Sequence, residues 1–473
     1  MTVERQLEKS GGFKKTLRRF DMILFTVAAI LVVDTLAPAA AIGPSAVSWW
    51  IITLFFFFIP YGLITAELGS TYPEQGGIYA WVRRAFGETW AARVTWLYWV
   101  NVALWMPSVY ILFAGMFAQM FFPDLPLWGQ IGIGILMTWI TVGIGIIALD
   151  VGKWVPNVGA ILKITIILVI GLGAFYYASQ HGVANDLSFR ALLPTWDAGL
   201  AFLPVIVFNF MGFELMSGAG EEMENPQRDV PIAIITAGVL IAFFYLLGTL
   251  GMLMALPLEQ LGLISGIIDT LRVLLGQSAL GEGLVTLLGI GALYTFLTNM
   301  VVWTMGANRS AAEAANEGVL PAVFGRLHPI NKTPLGAYLI TGIISTAVII
   351  LYGFFAATAE DLFWSLFAFS SIVFLLPYLV MFPAFLKLRL TDTTTPRPYQ
   401  VPGGIPMAWI MTALCEMFIA QAILFFVWVP GQPVDWTFAL PVLGGVLVTL
   451  VIGEVLVARR QRLLRAERAG EAG

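Results

Sequence analysis

The sequence predicts an all-α membrane protein of twelve transmembrane helices. Hydrophobic residues make up 59% of the 473-residue chain and charged residues 11%, against about a quarter charged in an ordinary soluble domain. Apolar stretches of about 20 residues, the length a helix needs to cross a bilayer, recur along the whole chain. The lysines and arginines also alternate by loop, as they do when one side of a membrane collects the positive charge.

The twelve stretches run at 22–46, 48–70, 90–122, 127–149, 154–178, 198–220, 231–256, 283–313, 334–356, 361–388, 406–429 and 435–457. With the N-terminus in the cytoplasm, the even-numbered loops and both tails collect all but three of the 25 Lys and Arg. Arg190 and Arg272 fall on the other side and Lys163 lies inside a span; one helix more or fewer would scramble this partition. The expected organisation is a cytoplasmic tail at 1–20, a twelve-helix domain at 21–458 and a short basic cytoplasmic tail at 459–473. The last most simply lies against anionic lipid headgroups.

With one cysteine, Cys415, the chain has no internal disulfide and no paired-thiolate metal site. The opening MTVERQLEKSGGFKKTLRRFD is basic and amphiphilic. No short apolar core with a small-residue cleavage site follows it.

Inside a bilayer every backbone polar group needs a partner, so helix breakers at membrane depth point to a cavity. The first span carries Asp34-Thr35-Leu36-Ala37-Pro38-Ala39-Ala40-Ala41-Ile42-Gly43-Pro44, where a proline removes a donor among small residues. A simple proline kink would read the same way. The sixth span carries Phe208-Asn209-Phe210-Met211-Gly212-Phe213-Glu214, followed by Gly218 and Gly220. Interruptions five helices apart are the pattern of an inverted-repeat carrier with its site at the midplane. Half-helix N-termini offer N–H groups to a carboxylate, and unwound carbonyls accept from an ammonium. An amino acid has both.

At these residues the chain resembles the amino acid/polyamine/organocation permease superfamily. Phe210 to Glu214, followed by Glu222-Met223-Glu224-Asn225-Pro226-Gln227-Arg228-Asp229-Val230-Pro231, is similar to its GxE…ExxNPxRxxP signature. Two further stretches agree: Ala66-Glu67-Leu68 with Gly76-Gly77-Ile78-Tyr79, and Ala307-Asn308-Arg309-Ser310 through His328-Pro329 to Thr333-Pro334. Phe58-Ile59-Pro60-Tyr61-Gly62-Leu63 and the loop from Leu256-Pro257 to Asp269-Thr270 look most like the bacterial glutamate/GABA antiporter branch. The long C-terminal plug of that branch's acid-resistance exchangers has no counterpart here.

The resemblance implies a five-plus-five inverted repeat at about 21–180 and 198–390, with two extra helices at about 406–458. It also implies alternating access without covalent chemistry. The candidate substrate residues are Ala37, Pro38, Ala39, Ala40, Ile42 and Gly43 on span one, and Phe208, Phe210, Met211 and Gly212 on span six. Asn101 and Trp105 on span three join them, and Phe367 with Ser370 on span ten is a further candidate wall.

Lys163, deep in span five, is ionisable in a place where charge is costly. Several sodium-independent relatives carry a lysine in this helix, so its ammonium would stand in for sodium; the plainer reading is a lysine near a helix end. Glu214 is a candidate gate or proton-sensing group, or a hydrogen-bonded structural acid. Asp34 would attract a substrate amine or satisfy free N–H groups of the broken helix. Glu67 and Glu221, Glu222 and Glu224 fall near Arg83, Arg84 and Arg228, as gate ion pairs or as solvated charge.

The leading expectation is a sodium-independent secondary carrier of amino acids in the inner membrane, proton-coupled or an exchanger, acting as a monomer or homodimer. A polyamine or monoamine importer and a glutamate/GABA-type antiporter are the alternatives within the class. A membrane enzyme is disfavoured, because only His181 and His328 are present and no cluster has metal-ligand spacing. A channel would need a continuous polar pore, whereas a non-transporting receptor would bind without accumulation. No cofactor, metal or nucleic acid is expected, and the partners are an amino acid or amine, the lipid bilayer and possible coupling protons.

Overall fold

A computed structural model describes residues 19–73, 77–147, 154–196, 198–217, 224–276, 278–316 and 318–471. Within them the regular structure is entirely helical. Ten helices are long and apolar enough to cross a membrane: Ala46–Thr71, Glu88–Phe121, Leu127–Ile147, Val158–His181, Pro226–Ala255, Ala279–Asn316, Leu335–Gly353, Ala359–Thr391, Gly404–Phe425 and Trp436–Arg462. The chain is therefore a multi-pass membrane protein. The expectations on Gly76, Lys153, Gly218, Gly220, Glu221 and Glu222, and on the tail at 1–18, lie outside the described residues.

The stretches expected as spans one and six are in pieces. The first is α1 (Arg19–Ile30) and α2 (Leu36–Ala40), joined by a non-helical Leu31–Thr35. The break thus precedes the proline that suggested it. Val32, Val33 and Thr35 are β-branched and Asp34 competes for backbone donors, so this run favours helix least. Pro38 sits in the first turn of α2, where its missing N–H costs nothing.

The sixth stretch is α10 (Leu203–Asn209) and α11 (Glu214–Ser217) around a non-helical Phe210–Phe213, counting α3 (Ala46–Thr53), α4 (Ile59–Thr71), α5 (Ile78–Phe86), α6 (Glu88–Phe121), α7 (Leu127–Ile147), α8 (Trp154–His181) and α9 (Phe189–Leu192) between them. Gly212 has φ +124°, which favours glycine, and a Cβ there would lie 3.0 Å from Ile30 Cγ1. The two breaks approach each other through that absent side chain.

The chain continues as α12 (Pro226–Ala255), α13 (Gly266–Leu275), α14 (Ala279–Asn316), α15 (Leu335–Gly353), α16 (Ala359–Leu375), α17 (Tyr378–Thr391), α18 (Gly404–Phe425) and α19 (Trp436–Glu471). α6 and α14 run through the middle, with α16 against α6 and α12 against α8. The core is apolar and rich in aromatic residues, and the outward faces of α12, α18 and α19 remain apolar and exposed, as a lipid-facing surface requires. In the run Leu54-Phe55-Phe56-Phe57-Phe58, Phe55 and Phe56 face outward. Phe57 and Phe58 turn inward on a π-helical turn, and Phe58 stacks on Phe210 at 4.0 Å.

Candidate functional site

The two breaks are tied together and each is tied to a neighbouring tyrosine. Thr35 Oγ1 donates to Asn209 Oδ1 at 2.6 Å. On the first break, Tyr245 of α12 accepts from Val32 N at 3.0 Å and donates to Ile30 O at 2.6 Å. One hydroxyl therefore satisfies backbone on both sides of the unwinding. On the second, the Tyr61 hydroxyl accepts from Gly212 N at 3.0 Å and Phe213 N at 2.9 Å, and donates to the Glu214 carboxylate.

Between the breaks lies a narrow cavity of about 20 Å³, room for about one water molecule. Ala29, Ile30 and Val32 of the first broken segment line it, with Asn101 and Trp105 of α6, Phe208, Asn209 and Met211, Trp303 of α14 and Phe374 of α16. The rings interlock edge to face: Trp105 with Trp303 at 5.5 Å, Trp105 with Phe208 at 5.9 Å, and Phe208 with Phe374 at 5.6 Å.

Four buried polar atoms of this lining have no hydrogen-bond partner: Asn101 Oδ1, Trp105 Nε1, Asn209 Nδ2 and Trp303 Nε1. Such groups are costly to leave unpaired. Around this one cavity, four such atoms are available to hydrogen-bond a polar ligand. No cationic side chain lines it, and the aromatic faces favour a cation.

Beside the second break Glu214 is buried and accepts from three tyrosines. Tyr98 of α6 donates at 2.9 Å, Tyr378 of α17 at 2.6 Å, and Tyr61 completes the set. Spans two, three, six and ten of the sequence reading thus converge on one carboxylate.

The structure brings Asn101, Trp105, Phe208 and Met211 to one cavity. The remaining residues proposed from sequence lie elsewhere. Ala37, Pro38, Ala39 and Ala40 are buried in α2, and Ile42 and Gly43 belong to the turn beyond it. Phe210 packs on Trp50, Phe58 and Tyr245, and Gly212 presents its N–H to Tyr61. Phe367 meets Phe208 at 4.9 Å, while Ser370 turns back to Phe367 O on its own helix.

Lys163 is buried, donates to Asn299 Oδ1 at 3.1 Å, and lies within electrostatic reach of the buried Asp34. Fifth span, eighth span and first break therefore share one polar cluster.

Near the end of α4, Glu67 is fully buried. Its partners are Arg389 at 2.6 Å and Arg397 at 2.8 Å, with Val401 N at 2.7 Å, not the Arg83, Arg84 or Arg228 of the sequence reading. Arg389 stands in the last turn of α17, and Arg397 and Val401 in the loop after it, so this stretch of chain bonds back to α4. Arg397 also donates to Leu388 O and Asp392 O, and Tyr72 donates to Asp392 at 2.8 Å. Thr395 and Tyr72 hold the Asp392 carboxyl well below the usual carboxylate range. Burial, then the bond to Asp392, pushes the Tyr72 hydroxyl up to about 12. Arg19 pairs with Asp229 at 2.6 Å, pinning the start of α1 to α12.

Sequence reasoning missed Tyr61, Tyr98, Tyr245, Tyr378, Trp303 and the Arg389–Arg397 pair. A signal existed: a tyrosine at membrane depth carries a hydroxyl that needs a partner.

Two broken segments, a narrow seam with unpaired polar atoms between them and a buried cluster of tyrosines on one carboxylate, in a chain of many membrane-spanning helices, are the features of a membrane transporter. The chain belongs to the amino acid permease family, whose model matches residues 17–452. It is 36% identical to a protein named probable agmatine/putrescine antiporter of Lactococcus lactis subsp. lactis, over 94% of this chain and 96% of that one. An uncharacterized transporter of Legionella pneumophila is 28% identical over 96% of this chain and 99% of its own length. The glutamate/gamma-aminobutyrate antiporter of Lactococcus lactis is 23% identical over 82% of this chain and 79% of its own.

Proposed function

We propose that this transporter is an antiporter of cationic amines of the agmatine and putrescine kind. The observation that carries the reading is the cavity itself, with aromatic faces on several sides, no lining cation and one unpaired acceptor, Asn101 Oδ1. An ammonium or guanidinium held there gains cation–π attraction and a hydrogen bond. The backbone donors that would hold a carboxylate are engaged, Val32 N by Tyr245, and Gly212 N and Phe213 N by Tyr61. The relative named for agmatine and putrescine exchange supports the same class.

Amino acid transport is the second reading, favoured by three unpaired donors on the cavity wall, Trp105 Nε1, Trp303 Nε1 and Asn209 Nδ2. Their N–H groups suit a carboxylate.

In this proposal the two broken segments complete a twelve-span, five-plus-five repeat in the cell's inner membrane, with both tails cytoplasmic. Substrate binding spreads the Trp105, Phe208 and Trp303 rings. The Glu214 cluster then opens one face of the site, because three helices must release one carboxylate. The Lys163–Asp34 cluster replaces a sodium ion and makes exchange sodium-independent.

The test is exchange in proteoliposomes loaded with putrescine and offered labelled putrescine, agmatine, neutral amino acids, glutamate and GABA, with and without sodium or a proton gradient. Amine-for-amine exchange without sodium supports the proposal. Exchange of amino acids alone selects the second reading.

A further inference from the structure

α6 rises through the protein from Glu88 to Phe121, 34 residues, about 50 Å at 1.5 Å per residue. Near its far end is a cleft of about 350 Å³, lined by Gly115, Gln119, Gln130, Ile264, Ser265 and the start of α16 at Thr358, Ala359 and Glu360. Gly115 lies ten residues beyond Trp105, roughly 15 Å along the helix axis. The cleft is therefore separate from the central cavity, and its size is that of a small-molecule site.

The chemistry of its walls has one sign. Gln119 donates its amide to Asp269 Oδ1 at 2.8 Å, and Gln130 donates to Leu125 O at 3.0 Å. A carboxylate and a carbonyl only accept, so these bonds fix both amides with their oxygens turned the other way. Those two oxygens, Gln119 Oε1 and Gln130 Oε1, are buried without a partner. Glu360 receives one long bond, from Ile264 N at 3.3 Å. No cationic side chain lines the cleft. At its rim Asp269 and Glu282 share Arg272, at 3.8 and 3.9 Å, while Asp361 is committed to capping α16 through Thr358.

From this geometry we infer a second, peripheral binding site for an organic ammonium ion, with Glu360 as its counter-charge and the Ser265 and Thr358 hydroxyls and the two glutamine carbonyls as acceptors. It gathers the cationic substrate at the mouth of the transporter before the substrate reaches the aromatic cavity. A negatively charged concavity raises the local concentration of a cation and so its rate of entry. That the ammonium belongs to the transported amine rests on the proposed function; the preference for a cation does not.

The experiment uses the full-length chain in nanodiscs with Ser265→Cys as the reporter, Cys415 being buried. Its rate of modification by a trimethylammonium methanethiosulfonate is compared with that of the neutral methyl reagent. The ratio is expected to favour the cation at least tenfold, to fall close to the free-thiol ratio in Glu360→Gln, and to persist in Glu360→Asp. Putrescine is expected to slow the labelling even in a Trp303→Leu background, where the central cavity is impaired.

A ratio no higher than that of a free thiol overturns the site, and so does labelling indifferent to putrescine in both backgrounds. Should Glu360→Gln not fold, the salt dependence of the ratio decides, since a ratio unchanged from low to high salt contradicts a charged cleft. A chain that exchanges no amine in proteoliposomes overturns the proposed function instead, and the labelling ratio still judges the cleft.

Discussion

Thr35 Oγ1 reaches across from the first break to Asn209 Oδ1 on the second, at 2.6 Å between two buried side chains. The bond fixes the separation of the two interrupted segments and orients Asn209 so that its amide nitrogen borders the cavity. Thr35→Val keeps the shape and removes the donor, leaving a buried acceptor unpaired at a cost of about 1–3 kcal/mol. The expected result is a folded protein with a lower melting temperature and a several-fold slower exchange rate. Thr35→Ser is expected to retain most of both, as measured by thermal unfolding in detergent and proteoliposome exchange.

Trp303 presents its ring to Trp105 and Phe374 and leaves its own N–H unpaired at the cavity. If the ring face holds a cation, Trp303→Leu removes about 0.5–2 kcal/mol of attraction, a roughly 2- to 30-fold rise in the half-saturating putrescine concentration. Trp303→Phe keeps a π face and should lose less. An equal rise for both variants would assign the effect to the indole N–H and turn the assignment towards a carboxylate-bearing substrate.

Tyr61 has a different task from the other tyrosines of the Glu214 cluster. Its hydroxyl bonds the N–H groups of Gly212 and Phe213 as well as the carboxylate, whereas Tyr378 donates only to Glu214 among its hydrogen bonds. Tyr61→Phe therefore strands two buried donors, each worth about 1–3 kcal/mol. It is expected to destabilise the protein more than Tyr378→Phe does. Both variants are expected to slow turnover more than they weaken substrate binding, which a comparison of binding affinity with exchange rate will read.

The membrane class was legible in composition, and the places of both interruptions were legible to within a few residues. The break in span one lies at Leu31–Thr35 because β-branched residues and an aspartate disfavour helix there, while Pro38 starts the next turn. A proline-centred search therefore points slightly too far along the chain. Asn101, Trp105, Phe208 and Met211 could be singled out by their nearness to interruptions or their polarity inside a span. Trp303 and Phe374 could not, because the chain is rich in similar rings and their partners come from other helices; the tyrosine hydroxyls announced a need for partners without saying which. The pairing of Glu67 with Arg389 and Arg397 was equally hidden, since the end of α17 and the loop after it lie more than three hundred residues along the chain from α4.

Lys163 and Asp34 are buried and interact electrostatically, with Asn299 completing the lysine's surroundings. Removing one member of a buried charge pair costs about 3–5 kcal/mol, because the other is left uncompensated. Lys163→Met alone is expected to abolish exchange and lower the melting temperature. The double variant Asp34→Asn with Lys163→Met should recover much of the stability. Uptake by the native protein is expected to be unchanged when choline replaces sodium; stimulation by sodium would remove the assigned role of the lysine.

The loop between α17 and α18 is held by two devices that respond differently to pH. Glu67 is fully enclosed by Arg389, Arg397 and Val401 N, so Glu67→Gln leaves two arginines in a site built for an anion. A loss of about 3–5 kcal/mol follows, visible as a lower melting temperature at every pH. Asp392 instead sits at the surface of the loop, its carboxyl held below its ordinary value by Thr395 and Tyr72. Its stabilising contribution is complete above the ordinary aspartate pKa of about 4 and fades only as the pH falls through the depressed folded value. The difference in melting temperature between the native protein and Asp392→Asn is therefore expected to stay constant from neutral pH to about 5 and to shrink only in stronger acid. A difference that disappears between pH 7 and 5 would mean that the Thr395 and Tyr72 bonds do not hold the carboxylate in the folded protein.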